Sequence, residues 1–152
     1  MTINQTTPNK VDKLSPAAYQ ALCNFEGYRS TAYQCIAGVW TIGYGHTKGV
    51  KRGDKVTKFQ AMQLLEEDLQ PIYKELQKYG LQQSQFDALA DLIFNIGLGN
   101  WVKSTIRAKV KVNDKDKTIA NEFKRWRYCN GKLLSGLVRR REWEARRYYE
   151  DL

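Results

Sequence analysis

Between Ser30 and Thr47 the chain reads STAYQCIAGVWTIGYGHT, a run of β-branched and aromatic residues broken by Gly38, Gly43 and Gly45. Such a stretch suits a short, bent β-hairpin or small sheet. Helical patterns flank it. Ser15-Pro16 reads as a capped helix start, Ala18, Leu22 and Phe25 follow as an apolar stripe, and Gly27 is a stop, so a helix is expected over about 15–26. Thr57 with Gln60 forms a capping box. It opens a long amphipathic helix over about 57–79, closed by Gly80 and kinked or broken at Pro71. Ser84 with Asp87 opens another helix carrying Phe86, Leu89, Ile93 and Phe94. Shorter helices are expected near 104–112, 118–128 and 136–149, with Asn130-Gly131 as a turn. The order is helix, small β unit, then helices: an α+β fold with an all-helical second half.

At 152 residues the chain fits one domain, or one domain of two small lobes. Its 42% hydrophobic content and 3 prolines exclude collagen-like and disordered classes. No run approaches the roughly 18 apolar residues of a membrane span. Residues 1–13, MTINQTTPNKVDK, read as a flexible polar leader without the apolar core of a signal peptide. Cys23, Cys35 and Cys129 are an odd set without metal-type spacing, which argues against a disulfide framework. His46 is the single histidine, and no CxxC or HExxH accompanies it, so no metal and no cofactor are expected. Gly43 and Gly45 lack the third glycine and the following helix of a dinucleotide loop.

The net charge of +9 is uneven. Residues 101–152 hold 15 Lys/Arg against 7 Asp/Glu, a net of +8. A polyanionic partner follows as an option: nucleic acid, anionic cell wall or membrane surface. No helix-turn-helix, RNP-type or Cys/His finger signature supports nucleic acid. Residues 139–147 read as a solvated helix face with pairs Glu142–Arg146 and Arg140–Glu144. The four tryptophans read mostly as core.

Glu26 stands at the carboxyl end of the first expected helix. The negative end of the helix dipole and the aromatic neighbours Phe25 and Tyr28 disfavour its ionised form, which suits a general acid; Arg29 would act the other way if close. On position alone an ordinary solvated glutamate is the better reading; the neighbouring string changes that balance. EGYRSTAY runs into GVWTIGYGHT, and Glu26, Cys35 and Thr41 stand with eight and five residues between them. This resembles the phage-type lysozymes, the endolysins, whose pattern is Glu, eight residues, Asp or Cys, five residues, Thr. QFDALADLIFNIGLGNWVKST resembles the family's helix entering the second lobe, and GLVRRREWEARRYY its last helix, with Gly136, Leu137, Arg140, Arg141 and Glu144 in place.

The resemblance covers about residues 14–149. It implies one lysozyme-like domain over 14–152, with an amino-terminal lobe of about 14–70, a helical lobe of about 71–152 and a glycan cleft between them. It also implies hydrolysis of the β-1,4 bond between N-acetylmuramic acid and N-acetylglucosamine in bacterial peptidoglycan during phage-induced lysis. Glu26 is then the general acid, while Cys35 and Thr41 assist the water or the anomeric centre. Thr47, Phe94, Ser104 and Asn121 match substrate-contacting places; Asn121 needs a one-residue gap, and Phe94 also fits its helix's apolar stripe. His46 reads as a structural, hydrogen-bonded residue. Two carboxylates usually share glycoside hydrolysis, and a thiol at the second position is a weak base at neutral pH. A lytic transglycosylase on the same bond is therefore the first alternative, and a non-catalytic cell-wall or nucleic-acid-binding module the second. A monomer is expected. So is a protein held in the host cytoplasm until release to the cell wall, with electrostatic contact between its basic third and anionic wall or outer membrane.

Overall fold

Ser15 starts the first helix by accepting the Ala18 N–H on its Oγ at 3.2 Å, and Pro16 fills the first turn, where a missing N–H costs nothing. This helix, α1, spans Pro16–Glu26 and ends at Gly27, whose φ of 68° turns the chain away while its N–H closes on the Cys23 carbonyl. The computed structural model describes residues 10–152; residues 1–9 of the leader lie outside the described residues.

Strands β1 (Arg29–Gln34) and β2 (Trp40–Gly43) form the expected antiparallel hairpin, with Tyr33 opposite Thr41 and Gln34 opposite Trp40. The hairpin lies tightly on the next helix. A Cβ at Gly43 would stand 2.9 Å from the Ala61 Cβ, and the φ of 62° there also favours glycine. Helix α2 (Lys58–Leu76) opens with the full capping box of Thr57 and Gln60. It runs unbroken through Pro71, so the expected break is absent. The Glu67 carbonyl loses its intrahelical donor there, but both residues are exposed and water can serve it. A 3-10 turn, Gln77–Tyr79, and Gly80 at φ 63° close the segment. The expected lobe boundary at 70/71 falls inside this one helix, which packs on both β2 and α3.

Helix α3 (Gln83–Ile96) starts one residue before the expected Ser84. Its capping box joins Gln82 and Gln85. Ser84 is instead buried, its Oγ donating to the Tyr148 carbonyl at 3.1 Å and its N–H to Asp151 at 2.8 Å. Residues Ser84 to Ile93 are all buried, which makes α3 the core helix, covered by α1, α2 and α7. Helices α4 (Leu98–Lys103), α5 (Thr105–Val112) and α6 (Ile119–Lys124) follow.

The second half is not all helical. The helix expected over 118–128 stops at Lys124, and a small hairpin of β3 (Tyr128–Cys129) and β4 (Lys132–Leu133) replaces its end. Asn130 and Gly131 both take positive φ, 50° and 77°, the requirement of a two-residue type I′ turn. Helix α7 (Ser135–Tyr148) then packs along α3 and α6. It is not a solvated face. Arg140, Arg141 and Glu144 are buried, Arg140 pairs with Asp91 and Glu26, and Glu144 pairs with Arg141. The expected Arg140–Glu144 and Glu142–Arg146 pairs do not form among the described residues. Of the tryptophans only Trp101 is fully enclosed. Among the described residues no helix is long and apolar enough to cross a membrane.

Candidate active site

The last residue of α1, Glu26, points into a corner made by three other segments. Its side chain is 16% exposed, and its Oε1 accepts a hydrogen bond from Arg140 Nη1 at 2.7 Å. Its Oε2 lies against Gly45, where a Cβ would stand 2.6 Å from it and 3.4 Å from the Phe94 ring. Glycine at 45 thus lets Glu26 and Phe94 meet over bare backbone.

The remaining edge of the Arg140 guanidinium is held by Asp91, with Nε and Nη2 donating to its two carboxylate oxygens at 2.9 and 3.0 Å. Burial alone would lower Arg140's affinity for its proton, but Asp91 and Glu26 raise it well above its ordinary value. Phe25 packs on this guanidinium, its ring centroid 5.2 Å from Cζ.

Two adjoining cavities, of about 730 and 600 Å³, form one cleft and share Ile36, Asn95, Leu134 and Leu137. Glu26 and Arg140 line the first. Cys35, Trp126, Tyr128 and Cys129 line the second. One wall is the turn of the first hairpin, and the other is built from α3, the second hairpin and the start of α7. A cavity of similar size, about 770 Å³, lies elsewhere beside Lys78, Arg107 and Lys111 and touches none of the expected site residues.

Cys35 is half-buried on the turn, its N–H on the Val39 carbonyl at 3.0 Å and its carbonyl accepting from Gly38 at 2.8 Å. Thr41 is 4% exposed and lines neither cavity of the cleft; its hydroxyl proton goes to the Val39 carbonyl at 2.9 Å, so towards a water it can only accept. Thr47 is exposed. His46 has acceptors at both ring nitrogens, Asp68 at 2.8 Å and the Lys48 carbonyl at 3.0 Å, and so ties the segment after β2 to α2.

Ser104 caps α5, with its Oγ accepting from Arg107 N–H at 3.2 Å and donating to the Trp101 carbonyl at 2.7 Å. It lines a cavity of about 300 Å³ that shares Asn100 and Trp126 with the cleft. Asn121 is exposed in another of about 450 Å³ that meets the cleft at Tyr128. The structure therefore gathers Glu26 and Phe94 in one corner, sets Cys35 in the adjoining cavity, and leaves Ser104 and Asn121 at the far end.

Sequence reasoning missed Asp91, Asn95, Ile36 and Tyr128 as parts of the site. Asp91 carried a signal: an acidic residue inside the apolar run of a core helix demands a buried partner. A helix-end glutamate held by an arginine on the wall of an inter-element cleft, in an α+β chain, has the architecture of a lysozyme-type hydrolase.

Residues 23–144 match the model of the phage lysozyme family. An endolysin of Acyrthosiphon pisum secondary endosymbiont phage 1 is 42% identical over 127 residues, covering 79% of this chain and 86% of that protein. The muramidase domain of SpmX from Asticaccaulis excentricus superposes with a TM-score of 0.79 at 35% identity, covering 90% of this chain and 97% of the other. The endolysin from Escherichia coli O157:H7 phage FAHEc1 gives 0.78 at 32% identity, covering 92% and 95%. The chain belongs to the phage lysozyme family. It is a lysozyme-type hydrolase with the α+β fold of that family.

Proposed function

We propose that this endolysin hydrolyses the β-1,4 bond between N-acetylmuramic acid and N-acetylglucosamine in host peptidoglycan, with Glu26 protonating the leaving oxygen. The supporting observation is the aim of Glu26: one oxygen on Arg140, the other against Gly45, at the wall of a cleft whose two cavities measure about 730 and 600 Å³. Cys35, lining the next cavity, lies by the anomeric carbon or its attacking water. Thr41, buried outside both cavities, assists indirectly, its hydroxyl donating to the Val39 carbonyl that also accepts the Cys35 N–H. Phe94 forms the floor beside Glu26, Thr47 flanks the entrance, and Ser104 and Asn121 contact distal sugars. The active unit is a monomer made as amino-terminal lobe, cleft and helical lobe. It acts at the cell wall after release from the cytoplasm.

Digestion of purified peptidoglycan followed by mass spectrometry tests the reaction. Fragments ending in a reducible N-acetylmuramic acid are expected. Anhydro ends, one water lighter, would make the enzyme a lytic transglycosylase, and reducible N-acetylglucosamine ends would place the cut at the other glycosidic bond.

A further inference from the structure

Asp91 lies outside the site expected from sequence, yet it is fully buried and one residue away from Glu26 through Arg140. An ionised carboxylate in such a place costs several kcal/mol unless it is paired with good geometry. The fork onto the Nε–Nη2 edge of Arg140 supplies that geometry and leaves Nη1 to reach Glu26. The guanidinium thus joins α1, α3 and α7 at one point.

Glu144, one turn further along α7, is also fully buried, and the Asp91 charge acts on it. Arg141 Nε stands 2.7 Å from Glu144 Oε1, without the alignment of a hydrogen bond, while its Nη2 donates to Oε2 at 3.1 Å. If all were ionised, Glu26, Asp91 and Glu144 would face only Arg140 and Arg141. One proton relieves the surplus negative charge. Burial, then the Asp91 charge, push Glu144 well above the usual carboxylate range, so Glu144 holds it. Burial alone would raise Asp91 too, but Arg140 holds it below its ordinary value. Asp91 is therefore the carboxylate that matches the Arg140 charge.

We propose that Asp91 is a positioning residue for hydrolysis: it grips one edge of Arg140, aims the remaining Nη1 at Glu26, and offsets the charge that Glu26 would otherwise face alone. The role rests on Glu26 being the proton donor. The other titratable groups near Glu26 are Tyr33 on β1 and Cys23 on α1, both pushed up by burial and so neutral over the working range, and Arg139, a permanent charge that lines the same cavity from α7. Asp91 faces Arg140, Arg141 and Glu144 from α7.

The test is steady-state kinetics of the full chain carrying Asp91→Asn, on a short uncharged glycan, across pH. Asparagine keeps the size, removes the charge and turns an amide N–H₂ toward a guanidinium donor. An uncompensated Arg140 favours ionised Glu26, which cannot donate. The expected result is a kcat lower by about 10²-fold at neutral pH, a nearly unchanged KM, and an alkaline limb moved to lower pH by about one unit. A merely structural role would reduce the amount of folded enzyme and leave the limb in place. Wild-type kcat with an unmoved limb overturns the proposal.

If Asp91→Asn does not fold, Asp91→Glu replaces it. This variant keeps the charge but displaces the fork, so kcat should fall while the limb stays; wild-type kcat overturns the proposal equally. Glu26→Gln, assayed alongside, separates the two readings. An active Gln variant removes Glu26 as donor, whereas an inactive one beside an unaltered Asp91 variant removes Asp91 alone.

Discussion

Cys35 is the residue at which this chain departs from a pair of carboxylates. It lines the cleft together with Cys129, so any thiol experiment must first remove Cys129 and Cys23 by serine. In that background Cys35→Asp should keep or raise activity, because aspartate is ionised at neutral pH and makes the better base. Cys35→Ala should lose about 10²-fold, and a thiol reagent should inactivate the parent unless glycan protects it. A fully active alanine variant and an enzyme indifferent to alkylation would make the thiol a space-filler.

Glu75 invites a stability test of the same kind. Burial raises it, but hydrogen bonds from Tyr79 at 2.6 Å, Lys78 at 2.9 Å and Trp101 at 3.2 Å win and hold it down at about 2. A carboxylate depressed in the fold stabilises fully above its unfolded value of about 4.3, and that contribution, about 3 kcal/mol, is lost as pH falls through about 2. Denaturant unfolding across this window should show Glu75→Gln losing less stability than wild type on acidification; parallel curves would contradict the assignment.

Among the elements, those governed by neighbours along the chain were legible. Ser15, Pro16 and Gly27 bound α1, and Thr57 with Gln60 opens α2, because capping needs only residues a few positions away. Ser84 and Asp87 misled because tertiary partners, Tyr148, Asp151, Ser15 and Arg147, take the groups that would have capped the helix. Helix α7 misled in the same way: Arg140 answers Glu26 and Asp91 and Arg147 answers Asp87 on other helices, while Arg141 takes Glu144 at i+3 and the expected i,i+4 pairs do not form among the described residues. This changes what its charge can do. Arg146 is exposed and has no ion pair among the described residues, whereas Arg147 holds the buried Asp87 at 2.7 Å. Arg146→Gln should therefore weaken binding to whole walls at low salt and leave cleavage of a short neutral glycan unchanged, since exposed charge acts over a Debye length of about 8 Å at 0.15 M. Arg147→Gln should instead destabilise the fold by about 1–3 kcal/mol by leaving Asp87 short of a partner. Sedimentation with walls and thermal unfolding check the two; equal behaviour of the variants would refute the division.

Taken as a whole, the molecule uses distant parts of its sequence to aim one carboxyl. The Glu26, Cys35 and Thr41 spacing made the family legible, since all three lie within one helix end and one hairpin, although only Glu26 and Cys35 line the cleft. The support was not, because Arg140 stands 114 positions from Glu26 and 49 from Asp91, and no local pattern links them. The cleft walls from the second hairpin were hidden for the same reason, as residues 118–128 read as one helix until tertiary packing ended it at Lys124. On the proposed mechanism this arrangement presents Glu26 as a proton donor. Glu26→Gln keeps the shape and can still accept from Arg140 through its amide oxygen, but cannot give a proton. The direct measurement is the clearing rate of a peptidoglycan suspension by that variant, with its thermal unfolding recorded beside it. The expected result is a loss of at least about 10²-fold in clearing with an unfolding midpoint close to wild type. Substantial clearing by the folded variant would contradict it.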